Sequence, residues 1–474
     1  MKATYDTIIL ISIDDLRFDC LGCEEDKRFL AQYGVDSLVN TPVLDNYAKK
    51  GIRFSQCVST SSYTPAPHAS MITGQYPHTH SVHTFFDLLP STIRTLPEIL
   101  AHRGWNTCAW TEHLTFTMQN ITRGMHTVTE PLSDDQADIF TFLQALNPHE
   151  PNFVFIHLFD VHKPYYYTTG GRERLSFNEN YLEKMRGVCE GCDCDFESTL
   201  AHARKEARTV IKNFDNLSAS LKEYGVYRSL DYLLRNHLRG TDAFFNTLIS
   251  LYVEGVNKCD QGKLKVLLET LEDNQLMDNG ILCILSDHGE TRCTWDGRED
   301  FMNSFNVSEG AIHVPCILYA HDLPSEKEIH APVSIIDIVP TIMEYCSITH
   351  DVNLDGCSMV PLIESSEPPV EDRTLFSETW SYKGSSTFFG ESTSSHETEK
   401  LLAEACARTP AFKYVWRDSH IGTNGFYNYS EDFLENHPLP MNEKAELLKK
   451  ELLNYMLPYH IKKMDMARLL GHPK

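Results

Sequence analysis

The sequence predicts an α/β protein: a large, mostly parallel sheet sandwiched by helices, with a helical insertion and a small C-terminal α+β subdomain. Three observations predict it. Apolar runs without alternation, at 7–13, 153–159 and 280–285, read as strands buried on both faces. Helical patterns separate these runs, as parallel crossovers require. Polar residues of chemical interest follow each run directly: Asp14 and Asp15, Asp160 and His162, Asp287 and His288. In an open parallel sheet the carboxyl ends of the strands form one edge, where ligands bind.

The elements follow in order. The strand 7–13 opens the chain, and a helix over 41–50 carries Pro42 in its first turn, where a missing N–H costs nothing. Residues 52–58 read as a strand, and 67–73 open a helix after Thr64. A helix over 95–102 ends near Gly104 and leads into a strand at 107–110. After the strand 153–159, residues from about 172 to 256 are charged, helix-periodic and poor in strands, which predicts a helical insertion. A helix over 260–276, a strand over 280–285 and a strand over 314–319 follow. Val333 to Tyr345 reads as a strand end running into a helix through Pro340. The run Glu364-Ser-Ser-Glu-Pro-Pro369 reads as a linker. Beyond it, 374–379 and 412–416 are strand-like and 442–456 is a charged helix. The predicted division is therefore a catalytic domain over 1–365 and a C-terminal subdomain over 366–474, a reasonable partition of 474 residues.

Composition narrows the function. A hydrophobic content of 42% and charged content of 23% suffice for a large core without disulfide staples. The net charge of −24 repels phosphate backbones and anionic bilayers, so neither nucleic acid nor membrane is an expected partner. It does not exclude a small anionic ester substrate, because a bound cation reverses the local sign. A homo-oligomer is compatible with this composition. The first apolar run is too short to span a bilayer and lacks a basic flank and cleavage site, which predicts a cytoplasmic protein. Cys57, Cys108, Cys283, Cys316 and Cys346 are scattered, as reduced thiols are. Cys189, Cys192 and Cys194 form a CxxCxC run; it lacks a nearby fourth zinc ligand and is expected to be a loop of reduced cysteines.

The strand-end residues define a chemistry. Asp14, Asp15, Asp287 and His288 are hard or borderline ligands that suit one divalent cation: Ca, Mn or Mg, with Zn also within range. Thr64, at a helix start, is the expected nucleophile, with its oxygen on the metal. The helix N-terminus is expected to support the anionic oxygens of the reacting centre. His68 lies one helical turn on and is assigned to steering a proton or a substrate oxygen. His162 and His313 join it as anion-binding or proton-transfer groups, and His157, Asp160 and Lys163 as substrate contacts. Singly, each has a blander explanation: an Asp that caps a helix, a Thr in a turn, a structural histidine. Their ordered recurrence at strand ends favours the site.

These residues resemble the sulfatase branch of the alkaline phosphatase superfamily. The matching segments run in order: Ile11-Ser-Ile-Asp-Asp-Leu-Arg17, Thr64-Pro-Ala-Pro-His-Ala-Ser-Met-Ile-Thr-Gly-Gln-Tyr-Pro77, Phe159-Asp-Val-His-Lys-Pro-Tyr165 and Leu285-Ser-Asp-His-Gly-Glu290. Ile312-His-Val-Pro315, Ile336-Asp-Ile-Val-Pro-Thr341 and Asp355-Gly-Cys-Ser358 match later landmarks. The resemblance implies the superfamily's sheet, one metal, and a substrate role for the 159–165 segment. It also exposes a departure. Sulfatases of this family carry Cys-x-Pro-x-Arg, or Ser first, and oxidise that residue to formylglycine. Here Thr64 stands first, Ala66 at the Pro place and His68 at the Arg place. A secondary alcohol oxidises to a ketone, so Thr64 cannot supply the aldehyde.

Threonine nucleophiles belong to the superfamily's phosphatases, phosphodiesterases and phosphoglycerol or phosphoethanolamine transferases. The resemblance therefore implies a hydrolase of phosphate mono- or diesters acting through phospho-Thr64. The alternatives are a sulfuric ester hydrolase without formylglycine, such a transferase, or a silent binding protein that kept the fold.

Overall fold

The computed structural model describes residues 5–112, 115–130, 138–163, 165, 179–211, 214–217, 219–238, 241–295, 298–302, 306–349, 351–365, 373–382, 400–419 and 421–457. Eight strands form the main sheet, in the spatial order Lys327–Ile329, Ile52–Phe54, Cys316–Tyr319, Gly280–Leu285, Thr7–Ile13, Asn152–Leu158, Asn106–Thr111 and Thr127–Thr129. Cys316–Tyr319 runs antiparallel to both of its neighbours; every other pairing is parallel. The α/β reading with a mostly parallel sheet holds.

The strand Thr7–Ile13 shows why its sequence is apolar at every position but Thr7 and Ser12. Ile9, Ile11 and Ile13 enter the core on one face of the sheet, and Ile8 and Leu10 enter the core on the other. Both faces are covered by helices, so no position along the strand is left for a polar residue facing water. Pairing with Asn152–Leu158 on one side and Gly280–Leu285 on the other aligns three strand ends. Asp14, Phe159 and Ser286 follow these ends directly, and the expected convergence on one edge is met.

The helical insertion is present over its described part: Glu179–Glu190, Phe196–Val210, Ala219–Leu238 and Asp242–Cys259. Residues 172–178, 212–213, 218 and 239–240 of the expected insertion lie outside the described residues, as do 366–369 of the expected linker and 370–372 after it. The break expected near residue 256 is absent. Asp242–Cys259 continues through a π-helical segment, Asp260–Leu264, into Lys265–Asp273. The wider turn rotates Asp260 and Lys263 into the interior, where both are buried.

Other elements differ from expectation. The predicted strand 52–58 divides: Ile52–Phe54 stays in the main sheet, while Cys57–Val58 pairs with Val333–Ser334. Thr127–Thr129, Lys327–Ile329 and the hairpin of Thr291–Trp295 and Arg298–Met302 are short strands without a strong pattern of their own. The C-terminal sheet is antiparallel, in the order Leu375–Tyr382, Lys400–Arg408, Phe412–Arg417 and Gly425–Asn428. The helix Glu443–Met456 packs on it through Ala445, Leu448 and Leu452. Lys400–Arg408 was not among the expected strands, and its alanines and charges favour helix locally. Pairing on both sides overrides that propensity.

Candidate active site

Asp14 is the first residue beyond its strand, and its backbone N–H still bonds to Leu158 O at 2.9 Å. Asp15 then turns the chain with φ of 63°, in the left-handed region that Asp tolerates better than most residues. That conformation is held from both sides. Asp15 N–H donates to Asp287 Oδ1 (3.2 Å), and Tyr252 Oη donates to Asp15 O (2.8 Å). Ser286 fixes the facing loop by accepting from Leu16 N (3.0 Å) and donating to His288 O (2.6 Å).

Thr64 enters from the opposite side. The loop before it is tied down at Ser59, whose N–H donates to Ile312 O (2.8 Å), and at Thr60, whose carbonyl accepts from Glu378 N (2.9 Å). Thr64 caps the helix Pro65–Thr73, and its Oγ1 lies 3.0 Å from His288 Nε2. The hydroxyl is 4% exposed.

The helix does not offer the amides expected of it. Pro65 and Pro67 have no N–H, Ala66 N–H is spent on Tyr63 O (3.0 Å), and His68 N–H reaches Thr64 O (3.4 Å). Stabilisation of an anion by the amides of this first turn is therefore corrected: side chains must supply it.

Four predicted ligands assemble. The donor atoms of Asp14, Asp287 and His288 lie within 4.8 Å of one another, as do those of Asp14, Asp15 and His162. His288 Nδ1 is 2.9 Å from Asp15 Oδ1, and His288 Nε2 is 3.1 Å from Asp287 Oδ2. All four are fully buried. Burial, with Asp287 and Asp15 adding repulsion, pushes the Asp14 carboxyl well above its usual range. Burial also raises Asp287, to about 7. Burial opposes ionisation of Asp15 too, but His162 and His288 outweigh it and hold that carboxyl low. His288 is driven up to about 9 because Asp287 and Asp15 overcome the cost of burying its charge.

Three carboxylates this close cannot all ionise without a cation. Asp14 Oδ1 is moreover buried without a hydrogen-bond partner. The residues fit a divalent cation, held by Asp14, Asp15, Asp287 and His288 with Thr64 alongside.

The remaining predicted residues separate into two groups. His157 and His162 join the cluster. His157 Nε2 donates to Asp14 Oδ2 (3.0 Å) and orients it. His162 donates from Nδ1 to Lys163 O (2.9 Å), stacks on Phe159 at 4.1 Å and is pushed by burial down to about 4. Its Nε2 lies 3.7 Å from Asp15 Oδ2.

The others turn away from the hydroxyl. His68 donates from Nδ1 to Thr64 O (2.7 Å) and accepts at Nε2 from Ser12 Oγ (2.9 Å), so it braces the backbone of Thr64. The imidazole on the Thr64 hydroxyl is His288 instead. Asp160 pairs with Lys263 Nζ (2.5 Å), which also holds Glu112 (2.8 Å). Lys163 pairs with Glu290 (3.2 Å) and donates to Phe301 O. His313 donates to Ser55 O (2.9 Å), stacks on Phe18 at 3.7 Å and faces Glu309 at 3.6 Å; these contacts mark it as structural.

Sequence reasoning missed Ser12, Tyr252, Lys263 and Glu290. Glu290 was in view, next to the Asp-His-Gly run. Tyr252 and Lys263 had no signal, since only the insertion's packing brings them to the sheet edge. In the CxxCxC run, Cys189 Sγ and Cys194 Sγ lie 3.4 Å apart, and no metal cage includes these sulfurs among the described residues.

The carboxyl edge of the mostly parallel sheet thus gathers carboxylates, an imidazole and a buried hydroxyl. Comparison with known proteins gives the family. The Sulfatase family model matches residues 6–348, and the chain belongs to the sulfatase family. It is similar to an ulvan-active sulfatase of Formosa agariphila, at 24% identity over 79% of this chain and 68% of the relative. A match to arylsulfatase K of Gallus gallus is 32% identical but spans only 19% of that relative.

Among solved structures, BT4656 in complex with D-glucosamine-2-N,6-O-disulfate aligns with a TM-score of 0.62 at 15% identity, covering 96% of this chain and 98% of that one. The phosphonate monoester hydrolase SpPMH of Silicibacter pomeroyi gives 0.62 at 18% identity, covering 96% and 95%. At such identities these two alignments speak for the fold. Among the described residues, no helix is long and apolar enough to cross a membrane.

Proposed function

We propose that this chain hydrolyses phosphate mono- or diesters with Thr64 as nucleophile. The observation that carries the reading is Thr64 Oγ1, buried and 3.0 Å from His288 Nε2 at the rim of the carboxylate cluster. A divalent cation held by Asp14, Asp15, Asp287 and His288 would lower the pKa of the hydroxyl and offset substrate charge. The chain supplies the rest. His68 and Ser12 fix the backbone of Thr64, and His157 fixes Asp14. The Thr64 Oγ1–P bond forms as the ester P–O bond breaks; the hydroxyl proton passes to solvent, and the leaving oxygen takes a proton from water. Water then cleaves phospho-Thr64.

A second reading has its own support. The relatives are named sulfatases, which favours sulfur as the electrophile, attacked by Thr64 without formylglycine. Matched aryl phosphates, phosphonates and sulfates, assayed on protein loaded with each divalent cation, separate the two. Phosphate turnover with a phospho-Thr64 peptide in the quenched enzyme is the expected result. Turnover of sulfate esters alone would overturn the phosphate reading.

A further inference from the structure

The three cysteines of the CxxCxC run lie at the join of two insertion helices, and the fold treats them unequally. Cys189 stands in the last turn of Glu179–Glu190, 1% exposed and part of the largest hydrophobic core. Cys192 and Cys194 are half-buried in the loop that follows. Asp195 then caps Phe196–Val210 by accepting from Ser198 N (3.1 Å). The loop is tightly wound. Gly191 N–H donates to Val188 O (3.2 Å), Cys192 N–H to Cys189 O (3.0 Å) and Cys194 N–H to Cys192 O (2.8 Å). These bonds turn the chain back onto the helix end and bring Cys194 Sγ to 3.4 Å from Cys189 Sγ.

The sequence nominates a different pair. Cys189 and Cys192 carry the CxxC spacing of a redox dithiol. In the structure the close contact belongs to Cys189 and Cys194 instead. Burial and Cys194, ahead of Cys192, push the Cys189 thiol up to about 12. Among the described residues, no group of three metal-ligating donors includes these sulfurs. A shift of about 1.4 Å takes the sulfurs from their 3.4 Å contact to bonding distance, which side-chain rotation can supply.

We propose that Cys189 and Cys194 are a reversible oxidation site: a small-molecule disulfide of the glutathione type converts this dithiol to an internal bridge and leaves Cys192 out. The half-buried Cys194 thiolate attacks the small disulfide, forming a mixed disulfide and releasing one thiolate. Cys189 then gives up its proton, and its sulfur displaces the second thiolate from Cys194. Two protein thiols lose two electrons and two protons, and one small disulfide becomes two thiols. The bridge joins the last turn of one insertion helix to the chain entering the next.

The test incubates the folded chain with glutathione disulfide, alkylates the remaining thiols and digests with trypsin. The peptide Gly187–Arg204 holds all three cysteines. It should be lighter by two hydrogens, with Cys192 alone open to alkylation or carrying glutathione, and dithiothreitol should restore all three thiols. Cys192→Ser should still form the bridge, whereas Cys189→Ser and Cys194→Ser should not. Because Cys189 is buried, Cys192→Ser and Cys194→Ser keep the test decisive even where Cys189→Ser fails to fold.

The same reaction in urea shows whether the fold selects the pair. There the bridge should spread to Cys192, and its equilibrium constant against glutathione should fall by about tenfold or more, since an unfolded loop must first be closed. An unmodified peptide, a bridge to Cys192 in the folded chain, glutathione retained on Cys194, or equal equilibrium constants with and without urea would overturn the proposal. None of these readouts depends on the role of Thr64.

Discussion

Two clusters of charge are equally buried in this molecule and differ in how they are neutralised. Where the C-terminal sheet meets the segment 309–313, Glu309 is held by Arg408 (2.9 Å) and Lys413 (3.0 Å), and Lys413 also pairs with Glu435. Two carboxylates meet two permanent cations, and the network closes on itself. At the strand ends, Asp14, Asp15 and Asp287 lie against imidazoles. Burial then drives two of the three carboxyls upward, whereas Glu309 is held below its usual range because Arg408 and Lys413 overcome its burial. Depth alone does not mark a reactive site. An uncompensated charge, fitted to an ion from outside, does.

The contrast can be broken most directly at Thr64. Thr64→Ala should lower kcat by about 10³-fold or more with an unchanged melting temperature, as expected for loss of a nucleophile. Thr64→Ser should retain turnover. Undiminished activity in the Ala variant would remove Thr64 from the chemistry.

The closed network should respond in the opposite sense. Arg408→Met leaves Glu309 with half its compensation and should cost about 3–5 kcal/mol in urea unfolding. Turnover of the folded, metal-loaded variant should stay within about twofold of wild type. A catalytic defect larger than the stability defect would show that the two clusters are coupled.

Cation titration sharpens the same comparison. Divalent cation at about 100 times its Kd should stabilise wild type by about 2.7 kcal/mol. Asp14→Asn should lose most of that gain, and Arg408→Met should keep it. Equal gains in all three proteins would place the ion elsewhere.

The smallest effect near neutral pH belongs to His313. Burial, with Arg408 adding repulsion, pushes it down to about 3. The unfolded chain, with an ordinary histidine pKa near ~6.5, therefore binds the proton first as pH falls. Its stabilising contribution is intact above about 6.5 and is lost progressively toward pH 3. His313→Asn should shrink the pH slope of stability between about 6.5 and 4.5 by roughly one proton. An unchanged slope would mean that His313 is already charged in the fold.

Much of the site could be read before any coordinates. Asp14, Asp15, Asp287 and His288 were visible because a parallel strand buried on both faces is apolar until it ends, and the first polar residues stand where the sheet meets its ligands. Thr64 was visible through the helix that follows it. The roles expected of His68 and His313 turn on contacts that the sequence does not show, because an imidazole has two nitrogens and its role depends on what each one meets. For His68 these are Thr64 O and Ser12 Oγ, and for His313 Ser55 O.

The sequence by itself determined the sheet, the order of the acidic strand ends, the threonine at the start of the helix Pro65–Thr73 and the helical character of the insertion. Each follows from local periodicity or from residue chemistry at a strand end. Only the tertiary structure decided which imidazole meets the hydroxyl, that the first-turn amides are already spent, and that Tyr252 and Lys263 reach the sheet edge. Those are contacts between residues far apart in the chain. Packing of one element against another creates them, and no stretch of sequence carries them alone.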